Sequence, residues 1–402
     1  MRTKPYLIVT AQGKYNAYLM NDVTSAVTDS GLNIVAVEQN SSFGLSILAM
    51  VTETIDANDS VYAARERLLK KFSSFVNHHT DVKIVSPGEI SRFVNKNIQV
   101  FTIIGKDKVG ILKAITNALA NFRVSVEKMH HVARGDFVVM ELWVDASELR
   151  DLTVLKHAIQ ETCDRYQFDT IIQPDSPFRQ RRRLVVFDMD RTIIENEVID
   201  ELAKVANVGE EVSSITSRAM AGEMDFKESL RARVKLLKGL PAELFHDVAE
   251  TMKLTHGALD VTQTLKELGF KLALISGGFY YFANIVKDRL GFDYVYANEL
   301  EIKDGIVTGE LKGPIIDADA KGRILKEIAE KEGLTLDEVV AVGDGSNDAI
   351  MLQNAGFGIA FNSHDILKKV ADGQLTQRNL YGLLYCLGAT GRNDLSEQAD
   401  LK

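Results

Sequence analysis

The stretch Leu184-Val-Val-Phe187-Asp188-Met-Asp190-Arg191-Thr192 sets four apolar residues directly before two carboxylates. A short, wholly apolar run reads as a strand buried on both faces, as parallel sheets require. Two further runs end in the same manner. Lys271-Leu-Ala-Leu-Ile275 leads into Ser276-Gly277-Gly278, and Val339-Val-Ala-Val-Gly343 leads into Asp344-Gly-Ser-Asn347-Asp348. From Leu184 onward strands alternate with helical periodicity, the pattern of a Rossmann-like parallel α/β sheet. Ligands of such sheets bind beyond the carboxyl ends of the strands, where these polar groups collect. A D-x-D-x-T pattern alone arises by chance in roughly one chain of this length in fifteen. The weight therefore falls on order and placement: three motifs follow apolar strands, and Lys321 lies between the second and third.

Upstream, the chain repeats itself. Tyr6–Thr10 reads as a strand, Leu19, Met20, Val23 and Val27 as a helical stripe that Gly31 ends, and Leu32–Glu38 and Phe43–Val51 as two strands. A second stripe carries Val61, Ala64, Leu68, Phe72 and Phe75, and a strand at Val82–Val85 stops at Pro87. The same order recurs as Val100–Ile104, the stripe Ile111, Leu112, Ile115 and Leu119, strands Val124–Val126 and Phe137–Val144, the stripe Leu152, Leu155, Ile159 and Cys163, and Thr170–Ile172. Each half is a ferredoxin-like βαββαβ unit. The expected domains are residues 1–90, 96–175 and 182–402, with a helical insert at about 196–256. Asp175–Arg183 reads as a linker, with Arg181-Arg182-Arg183 on its solvated face.

Bulk properties narrow the class. The chain has 402 residues, 46 % of them apolar and 26 % charged, which suits a soluble protein of two or three domains. A formal net charge of -9 argues against a generic nucleic-acid binder. Two distant cysteines, Cys163 and Cys386, make neither a disulfide framework nor a zinc site and fit a reducing, cytoplasmic setting. No stretch approaches the roughly 20 apolar residues of a membrane helix, so no membrane partner is expected.

The chemistry that suits these groups is phosphomonoester hydrolysis. Such an ester is doubly negative, so an attacking carboxylate needs that charge neutralised. Asp188 is the candidate nucleophile, and Asp190, two residues on, the candidate acid and then base. Mg²⁺, a hard oxygen-liking cation, would bridge the phosphate and the carboxylates of Asp188 and Asp344. Ser276 and the Gly277 amide would donate to phosphoryl oxygens, with Lys321 as a cationic clamp.

These four motifs, in this order over about residues 184–390, resemble the haloacid-dehalogenase superfamily. The resemblance implies the same roles, adds the Asp190 carbonyl as a metal ligand, and makes Asp348 a support of the metal site. The insert is similar to that of members acting on phosphoserine. This implies that Glu197 holds the substrate ammonium and Arg233 its carboxylate. Met220 and Phe226 would wall the pocket, and Asn347 would touch the bound substrate. The implied reaction converts O-phospho-L-serine to L-serine and phosphate through an aspartyl-phosphate, the last step of serine biosynthesis. Another small phosphomonoester, or a non-catalytic amino-acid sensor, is the alternative. One departure stands out: Arg191 occupies a position where the family usually has serine. Gly105-Lys-Asp-Lys-Val-Gly110-Ile-Leu112 resembles the strand-to-helix turn of ACT domains, and the two repeats resemble two copies of that family. That implies an L-serine effector near Asp107 and Gly110, and a homodimer.

Overall fold

The computed structural model describes residues 5–14, 18–42, 44–56, 58–75, 78–94, 96–134, 137–175, 182–363, 367 and 370–388, with the side chains of 42, 91–94, 132–134, 137 and 220 outside that description. Contacts divide the chain into two units, Met1–Lys96 and Asn97–Lys402.

The first unit runs β1 (Tyr6–Lys14), α1 (Leu19–Thr28), β2 (Leu32–Ser42), β3 (Leu45–Thr54), α2 (Val61–Phe72), β4 (His78–Val85) and α3 (Pro87–Val94). Its sheet has the order β2-β3-β1-β4 and is antiparallel throughout. Alternate residues of the strands, such as Leu7 and Val9 or Leu48 and Met50, pack against Leu19, Val23, Ala64 and Leu68 of the two helices. This is the expected βαββαβ order, although Phe43 lies outside the described residues. Pro87 ends the strand as expected, but it also opens a helix. The Ser86 N–H donates to Glu89 Oε2 at 2.7 Å and the Glu89 N–H donates to Ser86 Oγ at 3.3 Å. That is a capping box with proline at the first helical position, a Ser-x-x-Glu signal open to reading in the sequence.

The second unit begins with β5 (Ile98–Lys106), α4 (Ile111–Asn121), β6 (Ser125–Arg134), β7 (Phe137–Asp145), α5 (Leu152–Tyr166) and β8 (Asp169–Pro174), in a sheet of order β6-β7-β5-β8. β6 is much longer than the three residues expected. Its polar stretch 127–131 is exposed and pairs only with β7, so it carries no apolar alternation to betray a strand.

The remainder is an α/β layer. It runs β9 (Leu184–Phe187), α6 (Val198–Val205), α7 (Gly209–Met220), α8 (Phe226–Leu236), α9 (Leu244–Thr251), α10 (Ala258–Glu267), β10 (Lys271–Phe279), α11 (Tyr280–Leu290), β11 (Tyr294–Lys303), β12 (Ile306–Lys312), α12 (Ala318–Lys331), β13 (Val339–Gly343), α13 (Ala349–Asn354), β14 (Phe357–Phe361), β15 (Gly373–Leu375) and α14 (Tyr381–Cys386). The sheet order is β12-β11-β10-β9-β13-β14-β15, parallel from β11 to β15, with β12 antiparallel at the edge. β9 lies between β10 and β13, and the chain leaves these two central strands toward opposite halves of the sheet. That makes a topological switch point, where a crevice opens beyond the strand ends. α6 to α9 form the helical insert between β9 and β10. None of the described helices is long and apolar enough to cross a membrane.

The second βαββαβ sheet shares a core with this layer. Ile104, Val139 and Ile171 belong to the same buried cluster as Val185, Phe187 and Leu383. Gly373 permits the approach, since a Cβ there would lie 2.6 Å from Ile171 Cγ1. Polar contacts reinforce the seam: Gln173 Nε2 donates to the Cys386 carbonyl at 3.0 Å, and Arg182 donates to Gln173 Oε1 at 2.9 Å. Arg182 therefore does not lie on a solvated linker face. It is buried, with its guanidinium 4.0 Å from the centre of the Phe357 ring. Arg181 lies outside the described residues.

Asp169 is the acid of this seam. Its two oxygens accept from Thr376, one from the backbone N–H and one from the hydroxyl, each at 2.7 Å. Burial nonetheless pushes its pKa from 3.8 to about 6. The folded protein thus holds this proton more tightly than the unfolded chain, so the contribution to stability is complete below pH ~4 and is lost as the pH rises through ~6. Asp169→Asn should remove that dependence. Urea unfolding should show wild type losing about 2 kcal/mol relative to the variant between pH 4 and pH 7. Parallel pH profiles would contradict the assignment.

Candidate active site

Leu184–Phe187 is apolar because β9 is covered on both faces and paired on both edges, and all four residues are buried. The first residue that can carry charge is the one beyond the strand, Asp188. Its N–H donates to the Val342 carbonyl of β13 at 2.9 Å, which ties the Asp188 loop to the strand that delivers Asp344. Asp188, Asp344 and Asp348 each present a carboxylate oxygen within 4.8 Å of the other two.

Lys321 answers part of this charge. Asp317 caps α12 by accepting from the Ala320 N–H at 2.9 Å, and Lys321 follows in the first turn. Its ammonium donates to Asp188 Oδ1 at 2.5 Å and to Asp348 Oδ1 at 2.7 Å, and the residue is fully buried. The lysine is thus committed to two carboxylates behind the cleft. Burial would discharge it, but Asp188 and Asp348 more than offset that and hold it protonated. One lysine cannot balance three carboxylates. Burial, with Asp348 adding to it and Lys321 opposing, lifts Asp188 to about 7, and burial with the Asp188 and Asp348 charges lifts Asp344 to about 9. A crowded all-oxygen set with an unmet negative charge fits a hard divalent cation.

Asp190 is set differently. One oxygen accepts from the Val198 N–H at 2.8 Å and the other from the Ser276 hydroxyl at 3.3 Å. Burial, then the charges of Glu197 and Asp188, push it well above the usual carboxylate range, toward the protonated form that an acid needs. Ser276 also accepts from the Gly278 N–H at 2.8 Å, so its hydroxyl orients Asp190 and the turn. Gly278 must be glycine, because a Cβ there would meet Asp190 Oδ2 at 2.7 Å. Ser276-Gly277-Gly278 lies within β10, whose register shifts between Ile275 and Phe279.

Over these strand ends lies a cleft of about 470 Å³, lined by Asp188, Asp190, Gly277, Asp344 and Asn347 below and by the helical insert above. α8 starts from a capping box between Asp225 and Glu228, and Phe226, Ser229, Leu230 and Arg233 face the cleft at helical spacing. Arg233 is 7 % exposed. Its Nη1 lies 3.9 Å from Glu197 Oε1, and Arg191 Nε lies 3.2 Å from Glu197 Oε2. Arg233 Nε and Ser229 Oγ are buried with no hydrogen-bond partner among the described residues. The structure brings together ten of the residues singled out above: Asp188, Asp190, Glu197, Phe226, Arg233, Ser276, Gly277, Lys321, Asp344 and Asn347. Asp348 stands behind with Lys321. The Met220 side chain lies outside the described atoms, and Ala219 and Met224 line the neighbouring wall. Asp107 is exposed and Gly110 opens α4 at φ 97°, both in the βαββαβ part and outside the residues that line the cleft. Sequence reasoning missed Ser229 and Leu230, although their spacing from Phe226 and Arg233 could have revealed them.

Several known proteins are similar to this chain. Residues 185–353 match the haloacid dehalogenase-like hydrolases. A phosphoserine phosphatase from Archaeoglobus fulgidus is 45 % identical over 328 residues, 82 % of this chain and 94 % of that protein. One from Mycobacterium tuberculosis is 32 % identical over 392 residues, 97 % of this chain and 95 % of the relative. The crystal structure of a HAD family hydrolase from Salmonella enterica serovar Typhi aligns with a TM-score of 0.65 at 29 % identity, covering 72 % of this chain and 98 % of the other. The chain belongs to the phosphoserine phosphatases, within the haloacid dehalogenase-like hydrolases.

Proposed function

We propose that this protein hydrolyses O-phospho-L-serine to L-serine and phosphate through a phosphoryl group carried on Asp188. The observation that carries the reading is the buried Arg233 beside Glu197, in one cleft with the carboxylates of the strand ends. A zwitterionic amino acid needs one fixed anion and one fixed cation, and an arginine suits a carboxylate bidentately.

In this reading an Asp188 oxygen attacks phosphorus as the P–O bond to the seryl oxygen breaks. Asp190 gives its proton to that oxygen, and L-serine is released. Asp190 then takes a proton from the water that attacks the phosphorus, which frees phosphate and restores Asp188. Lys321 holds Asp188 in place through both steps, Ser276 keeps Asp190 aimed, and the Gly277 amide faces the phosphoryl group. Phe226 excludes water, and Asn347 touches the substrate. Mg²⁺, held by Asp188, Asp344 and the Asp190 carbonyl with Asp348 in support, would neutralise the phosphate charge. Burial of both free cysteines suits a cytoplasmic enzyme. L-serine as an effector at the Asp107–Gly110 turn of an ACT-type domain, in a homodimer, completes the reading. The left-handed Gly110 backbone keeps that turn free of a Cβ.

Three outcomes test it. Asp188→Asn should lower kcat below about 1 % of wild type while the melting temperature stays close; substantial turnover would remove Asp188 from the chemistry. Phosphate release should cease in chelator and return with Mg²⁺, and full activity in chelator would exclude the cation role. Arg233→Ala should cost about 2–5 kcal/mol in kcat/KM for phosphoserine, and far less for phosphoethanolamine, which lacks the carboxylate. Equal losses on both would assign Arg233 to the fold or the phosphate.

A further inference from the structure

Glu197 is faced by two arginines of different kinds. Arg233 is nearly buried on α8, whereas the Arg191 side chain is 44 % exposed on the loop after Asp190. Each addresses a different oxygen of the one carboxylate, at 3.9 Å and 3.2 Å respectively. Arg191 also has a second acceptor within reach: its Nη2 lies 3.9 Å from Asp200 Oδ2, on the first turn of α6. Its backbone sits at φ 57°, a left-handed conformation that disfavours most side chains.

We propose that Arg191 is an internal counter-ion for Glu197 that stands in for the substrate ammonium. It thereby extends the substrate class to phosphorylated hydroxy acids that carry a carboxylate but no amine. This rests on the reading that Glu197 receives the ammonium of phosphoserine. A partly buried carboxylate left without a cation is costly, so a site whose anion depended on the substrate alone would strongly reject an ester without an amine. Here the anion is matched before any substrate arrives. An incoming ammonium displaces Arg191 toward Asp200, while an ester without one leaves the Arg191–Glu197 pair intact. Arg233 is free to take the substrate carboxylate in both cases.

The test compares kcat/KM for O-phospho-L-serine with that for the phosphate ester of 3-hydroxypropanoic acid, its counterpart without the amine. Asparagine tolerates the left-handed backbone and carries no charge. Arg191→Asn should therefore raise the preference for phosphoserine by about tenfold or more, the effect of one charge-assisted hydrogen bond. Arg191→Lys, which keeps the charge, should hold the preference within about threefold of wild type. Should Arg191→Asn not fold, Arg191→Gly accepts the same backbone and replaces it. Glu197→Gln separates the two levels. If it leaves kcat/KM for phosphoserine at the wild-type value, Glu197 does not hold the ammonium and the underlying reading fails. If Glu197→Gln lowers that value while Arg191→Asn leaves the preference unchanged or reduces it, the counter-ion role alone is overturned.

Discussion

Three carboxylates, Asp188, Asp344 and Asp348, approach one another at the ends of β9 and β13, and one buried lysine is set between two of them. Like charges about 4 Å apart oppose each other by about 4 kcal/mol at the effective dielectric of a partly buried site. The rest of the catalytic half is arranged so that this cost can be borne. The strands are wholly apolar, so their packing supplies the stabilisation that the site consumes. The Asp188 N–H is anchored on β13, and the cap at Asp317 starts α12 where Lys321 reaches both carboxylates. The charge left over suits a divalent cation.

The helical insert solves a separate problem. Strand ends rich in carboxylates can handle a phosphoryl group but cannot tell one alcohol from another. In the proposed reading recognition falls to α8 and the start of α6, where Arg233 and Glu197 line the same cleft. Asp190 connects the two tasks. One of its oxygens is held by the Val198 N–H at the head of α6, and the other by Ser276 of the sheet. A shift of the insert thus bears directly on Asp190.

Much of this was legible in the sequence because it depends on local rules. Strand existence follows from apolar runs, the repeat from two matching sets of stripes, and the insert from helical periodicity between two core strands. Capping explains where α5, α8 and α12 begin: Asp151, Asp225 and Asp317 each accept from a backbone N–H of the first turn. The exposed edge strand β6 was not legible beyond its first residues, since an edge exposed on its polar stretch has no apolar pattern to show. The helix opened by Pro87 was legible through Ser86 and Glu89 but was read as a strand stop.

The sequence by itself determined the order of strands and motifs, the identity of the groups at the strand ends, and the opposite charges of Glu197 and Arg233. Tertiary structure alone decided what the long cationic side chains do. Lys321 meets Asp188 across 133 positions of sequence and turns inward as a strut, Arg182 stacks on Phe357 inside a seam, and Arg191 turns to Glu197. A carboxylate next to a strand end can reach only what that end faces. A lysine or arginine has several rotatable bonds, and its partner is chosen by whichever distant segment the fold sets within its radius.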